Sequence, residues 1–126
     1  MTIQLLEHHD AFSPTLFVRE AELAGVRLRR FNVAEGEIPS RDLAGVSALV
    51  CAGGPYAVSD AAEYPWMRRE LELVKEALQL DIPVLGLGFG ARVLAVALGA
   101  EEVPLEFNGQ PWAEIGWGEI VVHEEA

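Results

Sequence analysis

Residues able to do chemistry fall into four groups along this 126-residue chain. Cys51 is its single thiol. A thiol becomes nucleophilic when a helix N-terminus or a neighbouring cation favours the thiolate, and burial among apolar groups opposes that. Cys51 lies inside the apolar run Val46–Ala52, ahead of Gly53-Gly54-Pro55, so it reads as core packing. Being alone, it also excludes an internal disulfide and a multi-cysteine metal centre. His8-His9-Asp10 brings together donor types that metals use. Adjacent side chains at a strand end point to opposite sides, so two imidazoles there do not meet on one ion. They read as loop histidines at a ligand-binding edge, with no metal. Gly86-Leu87-Gly88-Phe89-Gly90-Ala91 fits G-x-G-x-x-A, the spacing with which a strand-to-helix turn approaches a dinucleotide pyrophosphate, and Glu106 stands where a ribose-binding acid would be sought. Three strand-like runs precede this motif, whereas the fingerprint belongs to a first βαβ unit, and Pro104 disfavours a central strand beyond it. Finally, His123-Glu124-Glu125 spells His-x-Glu in what reads as a solvated acidic tail.

The elements that must position these residues follow from periodicity. Ile3–Glu7 reads as a strand, His8–Pro14 as a loop, and Thr15–Ala24 as a helix stopped by Gly25. Val26–Val33 reads as a second strand, Glu35–Gly45 as a polar linker, and Val46–Ala52 as a buried strand. A helix over Pro65–Leu80 has proline suited to its first turn, with Met67, Leu71, Val74 and Leu78 at helical spacing. Ile82–Leu87 is a short strand running into the glycine motif and a helix over Ala91–Leu98. Glu101–Leu105 reads as a further strand, Asn108-Gly109 as a turn, and Ile115–His123 as a last strand or hairpin arm. Trp66 and Trp117 are expected to pack, and Trp112, after Pro111 in a loop, to be exposed. Strands alternating with helices predict one α/β domain over residues 1–126, a flavodoxin-like three-layer sandwich with a mostly parallel sheet. Ligands of such sheets sit at the carboxyl ends of the strands, which selects the loops His8–Pro14, Gly53–Tyr56 and Gly86–Gly90.

With 51% hydrophobic residues, the chain has the composition of a folded domain. Its formal charge of −11 repels phosphate backbones and anionic lipids, which argues against nucleic-acid and membrane-surface roles. Apolar runs are too short to span a bilayer, and the opening Met1-Thr2-Ile3-Gln4 lacks a basic leader, so a cytoplasmic protein is expected.

Four segments in order resemble the class I glutamine amidotransferase family, in particular the glutaminase part of GMP synthase. They are Ala48–Pro55 with its Gly-Gly-Pro, Tyr64-Pro65-Trp66, Pro83–Arg92 at the place of the family's Gly-x-Cys-x-Gly elbow, and Glu114-Ile115-Gly116-Trp117. Gln4–Asp10 fits the family's first strand and loop. The resemblance implies a strand-to-helix elbow presenting a cysteine, a His-x-Glu pair as base and orienting acid, and an oxyanion hole. By resemblance the hole is formed by the backbone N–H groups of Gly54 and Phe89, within a ligand loop made of Gly53, Gly54, Pro55, Gly86, Gly88, Phe89, Gly90 and Arg92.

The chain departs from that pattern at decisive points. Gly88 occupies the nucleophile position, and losing a catalytic nucleophile costs on the order of a million-fold in turnover. Arg92 replaces the family's glutamine, and the distal His-x-Glu is expected to be absent, with the domain shortened at its C-terminus. The expectation is a domain without glutaminase activity and without a cofactor. It retains a loop for a small carboxylate or amide and associates with itself or a partner chain over the shortened sheet. The alternatives are a Rossmann-like nucleotide module using Gly86, Gly88 and Ala91, or a protein-interaction module.

Overall fold

The computed structural model describes residues 1–39, 42–113 and 115–122. Strands β1 (Thr2–Glu7), β2 (Arg27–Asn32), β3 (Ala48–Cys51) and β4 (Val84–Gly86) form a parallel sheet in the order β2-β1-β3-β4. The chain moves outward from β1 to β2, then returns to the other side of β1 to lay down β3. That reversal creates the crevice at the carboxyl ends of β1 and β3 where open α/β sheets bind ligands.

Alternation along β1 assigns its residues to two cores. Leu5 faces one side with Val50 and Ala52, covered by Phe17 and Val18 of α1 (Thr15–Leu23). Leu6 faces the other with Leu49 and Cys51, beneath Met67, Leu73, Val74 and Ala77 of α2 (Pro65–Gln79) and Phe89 and Val93 of α3 (Phe89–Ala97). A strand buried on both faces reads as an apolar run and not as an alternation, as β1 and β3 do. The result is the expected flavodoxin-like three-layer sandwich. Each fully buried leucine contributes roughly 1.5–3 kcal/mol, so Leu5, Leu6 and Leu49 anchor the centre of the sheet.

Local signals hold at the helix ends. Gly25, at φ +69°, terminates α1 while the Val26 N–H bonds the Ala21 carbonyl, and Pro65 opens α2. The expected polar linker is not polar throughout, because Leu43 is buried and Ile38 partly buried against the α2 side of the core.

The region after α3 differs from expectation. Residues 101–105 form no strand; Pro104 lacks a donor, and Glu102 is bonded to Arg92 and the Ser59 N–H. A two-residue hairpin forms instead, β5 (Glu106–Phe107) with β6 (Gln110–Pro111), turned by Asn108 and Gly109 at positive φ. Residues 115–122, expected as a strand or hairpin arm, pair with no described residue and carry no strand. Trp117, expected to pack, is fully exposed, while Trp112 is exposed as expected. Apolar alternation supplies only half of a strand; a neighbouring edge supplies the other half. No helix among the described residues is long and apolar enough to cross a membrane.

Candidate functional site

Three strand ends converge as the crevice rule requires: His8 after β1, Gly53-Gly54 after β3, and Leu87-Gly88 after β4. Gly88 is the N-cap of α3 with φ +55° and ψ −113°, a backbone that residues bearing a Cβ rarely adopt. This is a strand-to-helix elbow with its apex exposed. A Cβ built on Gly88 would meet only the Gly53 Cα, at 3.6 Å, so there is space at the apex for a side chain. Among the described residues, the N–H groups of Gly54 and Phe89 donate to no backbone carbonyl or side chain. Unpaired amides at a helix start are favourable for a carboxylate or a developing oxyanion.

The flanking glycines are glycine for another reason. A Cβ at Gly90 would collide with the Cys51 carbonyl oxygen, and one at Gly86 would lie 2.5 Å from the Gly90 oxygen and 2.6 Å from the Ala91 Cα. Glycine at Gly86 and Gly90 thus lets α3 press onto β4 and β3. Glu106, sought as a ribose-binding acid, sits in the β5–β6 hairpin, apart from the parallel sheet.

Arg92, one turn into α3, is engaged. Its Nη1 donates to Glu102 Oε1 at 2.9 Å and its Nη2 to the Tyr56 carbonyl at 2.6 Å, tying the loop after Pro55 to the helix. Glu102 also accepts from the Ser59 N–H at 3.0 Å. A cavity of about 700 Å³ opens beside this group, lined by Ala57, Ser59, Arg92, Glu102, Leu105 and Ala113 among others. It lies on the Arg92 side of α3, and the elbow glycines do not line it.

The two histidines separate as their adjacency predicts, and His8, in the loop after β1, turns inward. It is 2% exposed, enclosed by Trp66 and Phe89 with ring centroids at 5.4 and 4.9 Å. Its Nε2 lies 2.8 Å from Glu70 Oε2 and its Nδ1 3.3 Å from the Gly53 carbonyl. His9 is exposed, and its Nδ1 accepts from the Ala11 N–H at 3.1 Å. Glu70 is the site residue that sequence reasoning missed. It is 1% exposed, although charged, because it shares the buried face of α2 with Met67, Leu73, Val74 and Ala77. The signal was present: a glutamate three residues after Met67 and four before Val74 interrupts the apolar stripe.

Cys51 is packed in the core, as its apolar run implied. Burial foremost, then the Glu70 carboxylate beside it, pushes its thiol well above the usual range, which removes the thiolate that nucleophilic attack needs. Trp66 packs among Tyr56, Tyr64 and Phe89 as expected. His123 and its Glu125, like Glu114, lie outside the described residues.

A mostly parallel sheet wound on both faces, with an exposed strand-to-helix elbow, has the fold class of the class I glutamine amidotransferases. Comparison with known proteins agrees with that class. A glutamine amidotransferase-like protein of Acanthamoeba polyphaga mimivirus is 31% identical over 74 residues, 59% of this chain and 35% of the viral protein. A glutamine amidotransferase of Thermotoga maritima superposes with a TM-score of 0.74 at 24% identity, over 79% of this chain and 43% of that one. The glutamine amidotransferase of Methylobacillus flagellatus gives 0.72 at 22% identity, over 78% and 39%. The chain therefore spans about a third of the curated relative and about two-fifths of these solved chains. No protein-family model matches it.

Proposed function

We infer that this domain keeps the amidotransferase elbow as a binding device for a small carboxylate or amide and does not hydrolyse glutamine. The observation that carries the reading is Gly88: the apex has the backbone of a nucleophile elbow and open space above it, with no side chain to attack an amide. Cys51 does not substitute, being buried under α3 with its thiol held protonated. What supports binding is electrostatic, the unpaired Phe89 amide at the positive end of α3 and the unpaired Gly54 amide in the loop after β3. Calorimetric titration tests this, with glutamate and glutamine against NAD and FAD. Saturable heat from glutamate or glutamine and none from the dinucleotides is expected; heat from NAD or FAD alone would favour the nucleotide reading instead.

A second reading, an interaction module, is supported by a different observation. Ile115, Trp117, Ile120, Val121 and Val122 are each at least 79% exposed, an apolar run that a second copy of the chain would cover. Both functions can belong to one molecule.

A further inference from the structure

His8 and Glu70 are buried, opposite in chemistry and used by nothing proposed so far. Both partners of the His8 ring are acceptors, a carboxylate at Nε2 and the Gly53 carbonyl at Nδ1. Two proton arrangements satisfy them. Either an imidazolium faces a carboxylate, or a neutral imidazole carrying its hydrogen on Nδ1 accepts the proton of a neutral Glu70. Each leaves the pair uncharged overall, which is how it tolerates the core. Each also places a hydrogen on Nδ1, donated to Gly53.

That donation fixes more than one carbonyl. A trans peptide is planar, and its C=O and N–H point in opposite directions. Holding the Gly53 carbonyl toward His8 therefore aims the Gly54 N–H away from His8. A Gly-Gly peptide is the one most free to rotate, since neither residue has a Cβ to restrict it. The Gly53 Cα also stands 3.6 Å from where a Cβ on Gly88 would lie, so this peptide borders the elbow.

We propose that the buried His8–Glu70 pair is a positioning device, locking the Gly53–Gly54 peptide so that the Gly54 amide is presented to a carboxylate at the elbow. The ligand half of this statement rests on the binding reading above; the orientation half does not. The test uses the geometric difference between two substitutions. The amide nitrogen of asparagine takes the place of Nδ1, whereas that of glutamine takes the place of Nε2. His8→Asn therefore keeps the donor to Gly53, and His8→Gln loses it while still reaching Glu70.

The readouts are the Gly54 amide resonance without ligand and L-glutamate affinity by titration. His8→Asn is expected to leave the Gly54 resonance near its wild-type position and affinity within about twofold. His8→Gln is expected to shift the resonance and weaken glutamate about tenfold, the loss of one hydrogen bond to a charged ligand. Equal effects of the two variants, or an unmoved Gly54 resonance in His8→Gln, overturn the proposal. Should His8→Gln not fold, the wild-type ring decides: a protonated Nδ1 in a long-range nitrogen–proton spectrum is expected, and a bare Nδ1 refutes the clamp. If Gly54 follows the Asn/Gln pattern but the wild type takes up no glutamate, the binding reading fails and the positioning role stands.

Discussion

Gly88 and Gly90 sit two residues apart and are glycine for different reasons, so substitution should separate them. Gly88 has space but a positive φ, and alanine there is expected to cost about 1–3 kcal/mol of backbone strain. Gly90 lies inside α3, where Gly→Ala ordinarily gains about 1 kcal/mol, yet its Cβ would strike the Cys51 carbonyl. Gly90→Ala is expected to cost about 3 kcal/mol or more, with urea midpoints ordering wild type above Gly88→Ala above Gly90→Ala. Gly90→Ala proving as stable as Gly88→Ala would show that α3 does not press on β3 as described. The strand-to-helix elbow at Gly88 was legible in the sequence, because its motif fixes its position by its neighbours. The packing demand on Gly86 and Gly90 was not, since it arises from three segments meeting in space. Nor was the role of Glu70 read, although its place in the stripe of α2 announced a buried charge. Removing one member of the pair by Glu70→Ala or His8→Ala is expected to cost about 3–5 kcal/mol in chemical denaturation, as breaking one half of a buried pair does.

Between elements, the joint of β1 and β2 carries a titratable link. Burial opposes ionisation of Glu7, but hydrogen bonds from Arg30 at 2.7 and 2.9 Å and from Ser13 at 2.7 Å outweigh it and hold the carboxyl below its ordinary value. A carboxylate lowered on folding binds fewer protons in the folded state. Its contribution is therefore complete above the unfolded value, about 4.3, and is lost as pH falls toward the folded one. Arg30→Met is expected to lower stability near pH 7 by up to about 1 kcal/mol and to flatten its fall with acid, the two proteins converging below the folded value, measured by urea unfolding followed by circular dichroism across pH. An unchanged acid limb would contradict the assignment. Helices and parallel strands were readable from periodicity because each buries a face within its own layer. The tail after α3 was misread because alternation along 115–122 predicts a strand only where an edge awaits it, and no described residue provides one.

For the whole molecule, the four parallel strands and the elbow pack into a core while apolar side chains between Val103 and Val122 face solvent. Self-association is expected to rise with concentration in light scattering and to fall on Trp117→Ser; a strict monomer throughout would remove the interaction reading. The central claim is that the elbow persists without its chemistry, and glutamate release from glutamine by the purified protein and by Gly88→Cys tests it most directly. Of the described histidines, His8 has both ring nitrogens engaged and His9 has its Nδ1 engaged, so neither stands free as a base for a new thiol. The account predicts no turnover above background from either protein, with the Gly88→Cys thiol nevertheless open to alkylation at the helix start. Sustained glutamate release by the wild-type chain, with Gly88 in place, would contradict it.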